Sequence, residues 1–206
     1  IFRGQGGGAL VAMATVPAGV NPDCVAIADL DRDGALDLAV GNLAWAGTVQ
    51  VLLGDGKGAF ATAMPFLASG NPYSVAASDF DRDGTLDLAV VNAGTQDVSV
   101  LRGLGSGRFA TRIDTPAGQV PTTAVVADLD IDGRPDVAVL NSLGARNTIT
   151  ILFGRGDGTF ASPLTITAGS GTGDIAVADF NRDNKPDLIV TDSAGNGVAV
   201  LLNTSR

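Results

Sequence analysis

Ten residues, DLDRDGALDL at positions 29–38, carry the pattern from which the architecture of this chain follows. The pattern returns as DFDRDGTLDL at 79–88, DLDIDGRPDV at 128–137 and DFNRDNKPDL at 179–188. Successive copies begin 50, 49 and 51 residues apart. A constant period of this length indicates a fourfold repeat of one supersecondary unit.

A second marker keeps the same period. It reads GDGKGAF at 54–60, GLGSGRF at 103–109 and GRGDGTF at 154–160, and a degenerate copy, GQGGGAL, lies at 4–10. Alternating glycines of this kind mark a turn. We therefore expect the turn to lead into the last strand of each repeat.

The composition predicts an all-β protein. The 206 residues are 45% hydrophobic, which is enough for a full core. There is no Glu, and Lys occurs twice, so good helix formers are scarce. The abundant Gly, Val, Thr and Asp favour strands and turns.

Each repeat reads as four short strands, which in the first repeat lie near 25–29, 36–40, 48–53 and 63–67. Short strands with frequent turns suit a sandwich or a propeller, and four strands per period of about 50 residues favour the propeller. The first strand is rich in small residues and should lie innermost. The expected fold is one β-propeller domain over residues 1–206, with four four-stranded blades at about 24–67, 74–116, 123–167 and 174–202.

The fourth repeat has no outer strand of its own. We expect residues 11–16 to pair with residues 198–202, close the ring and remove both sheet edges. A closed ring predicts a monomer. The alternatives are a segment of a seven- or eight-bladed ring, and a dimer in which two half-rings share eight blades.

The Asp-rich loops predict calcium sites. Fifteen of the 22 acidic residues lie in the four loops, and carboxylates packed this closely repel one another unless a cation lies among them. We number each loop from its first Asp, so that Asp29 is position 1 of the first loop. Hard oxygen ligands with Gly at position 6 suit Ca²⁺, and position 7 would offer a backbone carbonyl. Four Ca²⁺ ions would move the net charge from −9 to −1. The alternative is a set of Asx-type turns without metal.

The candidate ligands occupy positions 1, 3, 5, 7 and 9 of each loop. They are Asp29, Asp31, Asp33, Ala35, Asp37, Asp79, Asp81, Asp83, Thr85, Asp87, Asp128, Asp130, Asp132, Arg134, Asp136, Asp179, Asn181, Asp183, Lys185 and Asp187. In the last loop Asn181 replaces an Asp and Asn184 replaces the Gly. Asn keeps an oxygen ligand and tolerates a left-handed bend, so this site should bind more weakly.

These loops, each followed by a Gly-x-Gly-x-Gly turn, resemble FG-GAP/VCBS repeats, the calcium-bearing blades of integrin α-subunit-type propellers and of many bacterial secreted proteins. The bacterial subtype is the more similar. The resemblance implies Ca²⁺ in the hairpin between strands one and two of each blade. It also implies extracellular or cell-surface adhesion, or ligand binding at the opposite face. Family propellers usually have seven blades.

That opposite face is where a ligand would bind. Trp45 and Tyr73, the only Trp and Tyr, fall in loops of neighbouring blades, and Asn71 and Asp97 lie nearby. Such aromatic residues with polar neighbours can stack on a carbohydrate or hold a peptide. The alternative is that both rings merely cover blade edges.

Several function classes are disfavoured. A net charge of −9 without a basic cluster argues against nucleic acid, and no apolar run approaches 18 residues, which argues against membrane insertion. With no His and one Cys, His-dependent triads, zinc sites and Cys-His nucleophiles are excluded. We expect a binding module for protein or carbohydrate and not an enzyme. The alternatives are a purely structural repeat segment of a larger surface protein and, least favoured, a carbohydrate-active enzyme.

Overall fold

A computed structural model describes residues 1–44, 46–142, 147–171 and 173–205. All regular elements in these ranges are β-strands. No helix long and apolar enough to cross a membrane occurs among them. The strands are β1 (Phe2–Gly4), β2 (Leu10–Ala12), β3 (Pro22–Ala28), β4 (Asp37–Asn42), β5 (Thr48–Leu52), β6 (Met64–Leu67), β7 (Pro72–Ser78), β8 (Asp87–Asn92), β9 (Asp97–Leu101), β10 (Ile113–Pro116), β11 (Pro121–Ala127), β12 (Asp136–Asn141), β13 (Asn147–Leu152), β14 (Leu164–Gly169), β15 (Ile175–Ala178), β16 (Asp187–Asp192) and β17 (Gly197–Leu201).

Each repeat forms one antiparallel sheet in which neighbours in sequence are neighbours in space. Sheet 1 is β3–β6, sheet 2 is β7–β10, sheet 3 is β11–β14 and sheet 4 is β15–β17. Strands β1 and β2 form a separate two-stranded hairpin. The all-β prediction is confirmed for the described residues.

The hydrophobic core is divided between consecutive sheets. One core joins sheets 1 and 2, a second joins sheets 2 and 3, and a third joins sheets 3 and 4. Between sheets 1 and 2, Val49 and Val51 pack with Leu88 and Val90. The first strands β3, β7, β11 and β15 lie next to one another in order. Sheets that meet face to face along their first strands have a propeller-like arrangement.

The pattern of buried residues along each strand depends on whether both faces of its sheet are covered. A sheet between two others buries both faces, so its middle strand reads as an almost continuous apolar run. All six residues of β8 and all six of β12 are buried. The outer strands β6 and β10 alternate between half-buried and exposed residues instead.

The expected pairing of residues 11–16 with residues 198–202 is not formed. Strand β2 covers Leu10–Ala12 and pairs with β1, while β17 pairs with β16 alone within the described residues. The physical reason is local: three consecutive glycines at positive φ, at positions 6–8, fold the chain back on itself. Sheet 4 consequently has three strands and not the four that we expected.

The outer face of sheet 4 is uncovered. Val198 and Val200 are 61% and 48% exposed. Val98 and Val100 occupy the same positions in sheet 2, where sheet 3 covers them, and are 0% and 1% exposed. The same apolar face is therefore present in the last sheet without a neighbour among the described residues.

Candidate metal centre

The four Asp-rich loops occupy equivalent places in the fold. Each connects the first strand of a sheet to the second, so the loops follow β3, β7, β11 and β15. The first two loops lie close to one another: a Cβ added at Gly84 in the second loop would be 2.8 Å from the guanidinium of Arg32 in the first. The loops accordingly share one end of the stacked sheets.

Carboxylates organise the backbone within each loop. In the first loop the two oxygens of Asp29 accept hydrogen bonds from the N–H groups of Asp33 at 3.1 Å and Gly34 at 3.0 Å. Asp33 Oδ1 accepts a further bond from the N–H of Ala35 at 2.7 Å. The later loops repeat these contacts, so residues at position 7 donate to the carboxylate at position 5.

The backbone bends to the left at two positions of every loop. Position 6 has a positive φ of 88°, 86°, 82° and 64° in Gly34, Gly84, Gly133 and Asn184, as the sequence predicted for Gly and its Asn replacement. Position 4 has one as well, which the sequence did not reveal. These residues are Arg32, Arg82, Ile131 and Arg182.

Carboxylate oxygens converge in three loops. Each group has three oxygens within 4.8 Å of one another. The groups are Asp29, Asp31 and Asp33; Asp79, Asp81 and Asp87; and Asp128, Asp130 and Asp136. Oxygen-only donors in this density match the preference of Ca²⁺ and Mg²⁺, so the residues fit a hard divalent cation.

Desolvation, reinforced by neighbouring negative charges, raises the pKa of several carboxylates in these groups. Loss of solvation raises the pKa of Asp87 to about 6, and the charges of Asp81 and Asp79 act in the same direction. Desolvation, together with the charge of Asp130, likewise raises the pKa of Asp136 to about 6. The pKa of Asp31 is raised by desolvation and by its neighbouring carboxylates. A bound cation would relieve this repulsion.

The Asp at position 9 has a structural role that the sequence did not reveal. Asp37 is fully buried, and its two oxygens accept the N–H groups of Leu30 at 2.7 Å and Gly54 at 2.8 Å. The other three repeats show the same pair of contacts. The residue thus joins the loop to the Gly-x-Gly-x-Gly turn. The recurrence of that turn 16 to 18 residues after the Asp was the available signal.

The fourth loop differs in its donor set. Asn181 donates its amide to Asp183 Oδ2 at 3.1 Å, in the place where other loops have an acidic residue. Asp179 still accepts the N–H groups of Asp183 and Asn184. Within the described part of the chain, no group of three converging carboxylates occurs here.

The candidate ligand face is only partly described. Trp45 lies outside the described residues. Tyr73 is 43% exposed on β7. Asn71 has a positive φ of 47°, and its backbone bonds to Ala44 and Ala93, so it shapes the turn between sheets 1 and 2.

Asp97 belongs to a polar network. Its carboxylate accepts hydrogen bonds from Ser69 at 3.0 Å and Asn92 at 2.8 Å. Asn92 also donates to Ser99, which donates to Asp114 at 2.7 Å. A half-buried carboxylate with two donors holds the strand ends of sheets 1 and 2 together.

Comparisons with known proteins agree with this architecture. A family model described as FG-GAP-like repeat matches residues 29–90, 79–139 and 132–190, which together span most of the chain. No curated protein matches.

Three solved structures are similar to this chain. A structure of BBS1N in complex with ARL6DN is 19% identical over 89% of this chain and 58% of that one, with a TM-score of 0.59. The Tc holotoxin pore of Photorhabdus luminescens is 26% identical over 81% of this chain and 8% of that one, with a TM-score of 0.49. The V. cholerae biofilm matrix protein Bap1 is 16% identical over 91% of this chain and 39% of that one, with a TM-score of 0.44. This chain spans less than two thirds of each of them.

Proposed function

Because the chain belongs to the FG-GAP-like repeat family, we propose that it is a calcium-stabilised extracellular binding module within a larger protein. The observation that carries this proposal is the register of the acidic groups. Three sets of converging carboxylates lie in the equivalent loop of three successive sheets. They use positions 1, 3 and 5 in the first loop and positions 1, 3 and 9 in the second and third. One acidic cluster is common on protein surfaces, but three at one repeat position support a shared cation-binding role.

Calcium would be held by the three carboxylate groups and, more weakly, by the fourth loop. The positive charge of the ion would offset the repulsion between the crowded carboxylates. We infer a structural role for it, because the loops recur in every sheet. The chain's own residues hold the loops in a closed form through the carboxylate–backbone bonds described above. Such sites favour a compartment rich in calcium, which supports an extracellular or cell-surface location.

Calcium removal tests this proposal. With free Ca²⁺ about a hundredfold above Kd, each independent site adds roughly 2.7 kcal/mol to the free energy of unfolding. We expect EDTA to lower the melting temperature substantially, and Asp81→Asn to reduce the difference between the two conditions. Asp23→Asn, an exposed acidic residue outside the loops, is the matched control and should leave that difference intact. Identical melting curves with and without EDTA, and no metal by elemental analysis, would refute the proposal.

The sites should differ in affinity. The fourth loop offers one fewer carboxylate, so its site should be the weakest. Calorimetric titration of Asp83→Ala and Asp183→Ala checks this: the first change should remove a tight site and the second the weakest one. Loss of the tightest site in Asp183→Ala would show that the order is wrong.

The ligand is proposed to bind at the end of the sheets opposite the Asp-rich loops. The exposed ring of Tyr73 supports recognition of a carbohydrate or a peptide there. A glycan array and a peptide array, probed with the native chain and with Tyr73→Ala, test it. Binding that Tyr73→Ala abolishes supports the module, whereas no binding to either array favours a purely structural repeat segment.

Binding, and not catalysis, is the activity we propose. The chain has neither His nor Glu, so among its side chains only Asp has an ordinary pKa in the acidic range. Outside the loops, Asp97 and Asp114 are engaged in the polar network, and Asp114 also pairs with Arg112 at 3.0 Å. These carboxylates serve the structure.

A further inference from the structure

An apolar groove lies between sheets 3 and 4. Its volume is about 280 Å³. The apolar lining comes from both sheets and includes Leu129, Ile151, Ile166, Leu188 and Leu201. The carboxyl-terminal residues 203–205 border it.

The equivalent grooves between the other sheets are filled by an aromatic ring. Phe109, from the turn of sheet 2, packs edge-on against Phe66 of sheet 1, with centroids 5.2 Å apart. Phe160, from the turn of sheet 3, packs edge-on against Phe80 of sheet 2 at 5.8 Å. Both rings are at least nine-tenths buried and belong to the cores between these sheets.

The residues around these rings reappear around the groove. Phe160 shares its core with Phe80, Val100, Val137 and Leu152. The same repeat positions in sheets 3 and 4 are held by Leu129, Ile151, Leu188 and Leu201, all of which line the groove. The position of Phe66 is held by Ile166, which lines it as well. The groove is therefore the third member of a series whose first two members each contain a Phe.

The backbone beside the groove is also prepared for a strand. In sheets 2 and 3 the residue after the Phe donates its N–H to a carbonyl at the end of the third strand, with distances of 2.8 Å to Arg102 and 2.8 Å to Phe153. The equivalent carbonyl in sheet 4 belongs to Leu202. Within the described residues, no strand pairs with the outer edge of β17. An unpaired edge of this kind is a template for an added strand.

We propose that this groove and the β17 edge together form a docking site for an extended peptide from outside residues 1–206. The peptide would carry a turn of the family pattern, Gly-x-Gly-x-Gly-x-Phe, followed by a strand, at the place that this turn has in sheets 2 and 3. Its Phe enters the groove, and the strand adds to β17 as the fourth strand of the sheet. An apolar cavity of about 150 Å³ already accepts benzene, so the groove is large enough for the ring.

A synthetic peptide with the sequence of residues 154–167 is the probe, because it contains this turn, Phe160 and the following strand. Fluorescence anisotropy of the labelled peptide should show saturable binding to the chain. The matched peptide with Phe160→Ala should bind at least tenfold more weakly. Absence of binding at millimolar peptide, or equal affinity of the two peptides, would overturn the proposal.

A pair of protein variants locates the site. Leu164→Arg places a charge on the groove lining at a residue that is 47% exposed, and should weaken peptide binding at least tenfold. Leu67→Arg places the same charge on the outer strand of sheet 1 at a residue that is 65% exposed, and should leave the affinity unchanged. Circular dichroism establishes that both variants fold. Equal peptide affinity of the two variants would place the peptide elsewhere and overturn the proposal.

A second copy of this chain is the competing occupant. Its β1–β2 hairpin presents Leu10 at the Phe position, 68% exposed. A peptide of residues 4–16 should bind more weakly than the peptide of residues 154–167, because Leu lacks the aromatic ring. Tighter binding of the 4–16 peptide, or a chain dimer that the 154–167 peptide does not dissociate in sedimentation, would overturn the proposal in favour of the second copy.

Discussion

Asp37, Asp87, Asp136 and Asp187 differ physically from the other carboxylates of their loops. They are fully buried, and each accepts two backbone N–H groups from separate segments of its repeat. Buried donors that lose their acceptor retain the full cost of desolvation. These residues therefore stabilise the sheet whether or not a cation is bound. The proposed cation would act mainly on the remaining loop carboxylates.

A pair of variants separates the two roles. Asp87→Ala leaves the N–H groups of Phe80 and Gly103 unpaired, so the free energy of unfolding should fall by about 3 kcal/mol even in EDTA. Asp83→Ala removes an exposed loop carboxylate, and its effect in EDTA should stay below about 1 kcal/mol. Urea denaturation with and without calcium measures both. Equal losses in EDTA would mean that position 9 has no separate structural role.

Ile131 shows how firmly the loops are held. It adopts a φ of 63° at position 4 of the third loop, a region that β-branched residues rarely enter. A residue in such a conformation costs of the order of 1–3 kcal/mol and persists where its surroundings determine the backbone. Here the N–H groups of the three residues that follow Ile131 are bound by Asp128 and Asp132, which supply that constraint.

At the scale of the element, the Gly-x-Gly-x-Gly turn returns the chain against the hairpin of the first two strands. The first Gly of each turn passes directly beside a carbonyl. A Cβ added at Gly154 would lie 2.3 Å from the carbonyl oxygen of Pro135, and Gly54 and Gly103 have the same environment. In the fourth repeat Asn203 stands at this position and donates its amide to the matching carbonyl of Pro186 at 3.1 Å.

Substitution of this glycine should disrupt the turn. Gly154→Ala forces the turn away from Pro135 and should lower the free energy of unfolding by about 1–3 kcal/mol. Gly4→Ala is the matched control, because a Cβ at Gly4 meets nothing within 4 Å. Thermal denaturation of both variants gives the comparison. A Gly154→Ala protein as stable as the control would show that the backbone can shift at this position without cost.

At the scale of the whole molecule, each sheet is stabilised by its neighbours. Apolar positions that point toward the next sheet are buried in sheets 1 to 3 and exposed in sheet 4. The energetic value of one repeat position consequently depends on the place of its sheet in the array, as expected for repeat proteins with nearest-neighbour interfaces.

Two lysine substitutions at one repeat position test this dependence. Val98→Lys would bury an unpaired ammonium between sheets 2 and 3 and should cost more than about 4 kcal/mol. Val198→Lys falls on the exposed face of sheet 4 and should change the free energy of unfolding by less than about 0.5 kcal/mol. Denaturant titration of the isolated chain measures both. A large loss in Val198→Lys would mean that this face is covered in solution, as would occur in a dimer.

The amino-acid sequence by itself determined the repeat, the strand content and the place of the acidic loops. These properties follow from local patterns: the Asp spacing, the alternating glycines and the shortage of helix formers are each contained in a few neighbouring residues. The left-handed bends at Gly34 in the first loop and at Asn184 in the fourth were predictable for the same reason, since this conformation is a preference of the single residues Gly and Asn.

Only the tertiary structure decided how the ends of the array are arranged and what each carboxylate contacts. The segment at 11–16 matches an outer strand in pattern. Residues 10–12 nevertheless pair with residues 2–4 in a hairpin, because this partner is closer along the chain than residues 198–202. Asp37 and Asp33 have the same side chain, but Asp37 is buried and accepts the N–H groups of Leu30 and Gly54, whereas Asp33 is exposed in the loop. Pairing partners and burial depend on residues distant in sequence, so a local pattern does not determine them.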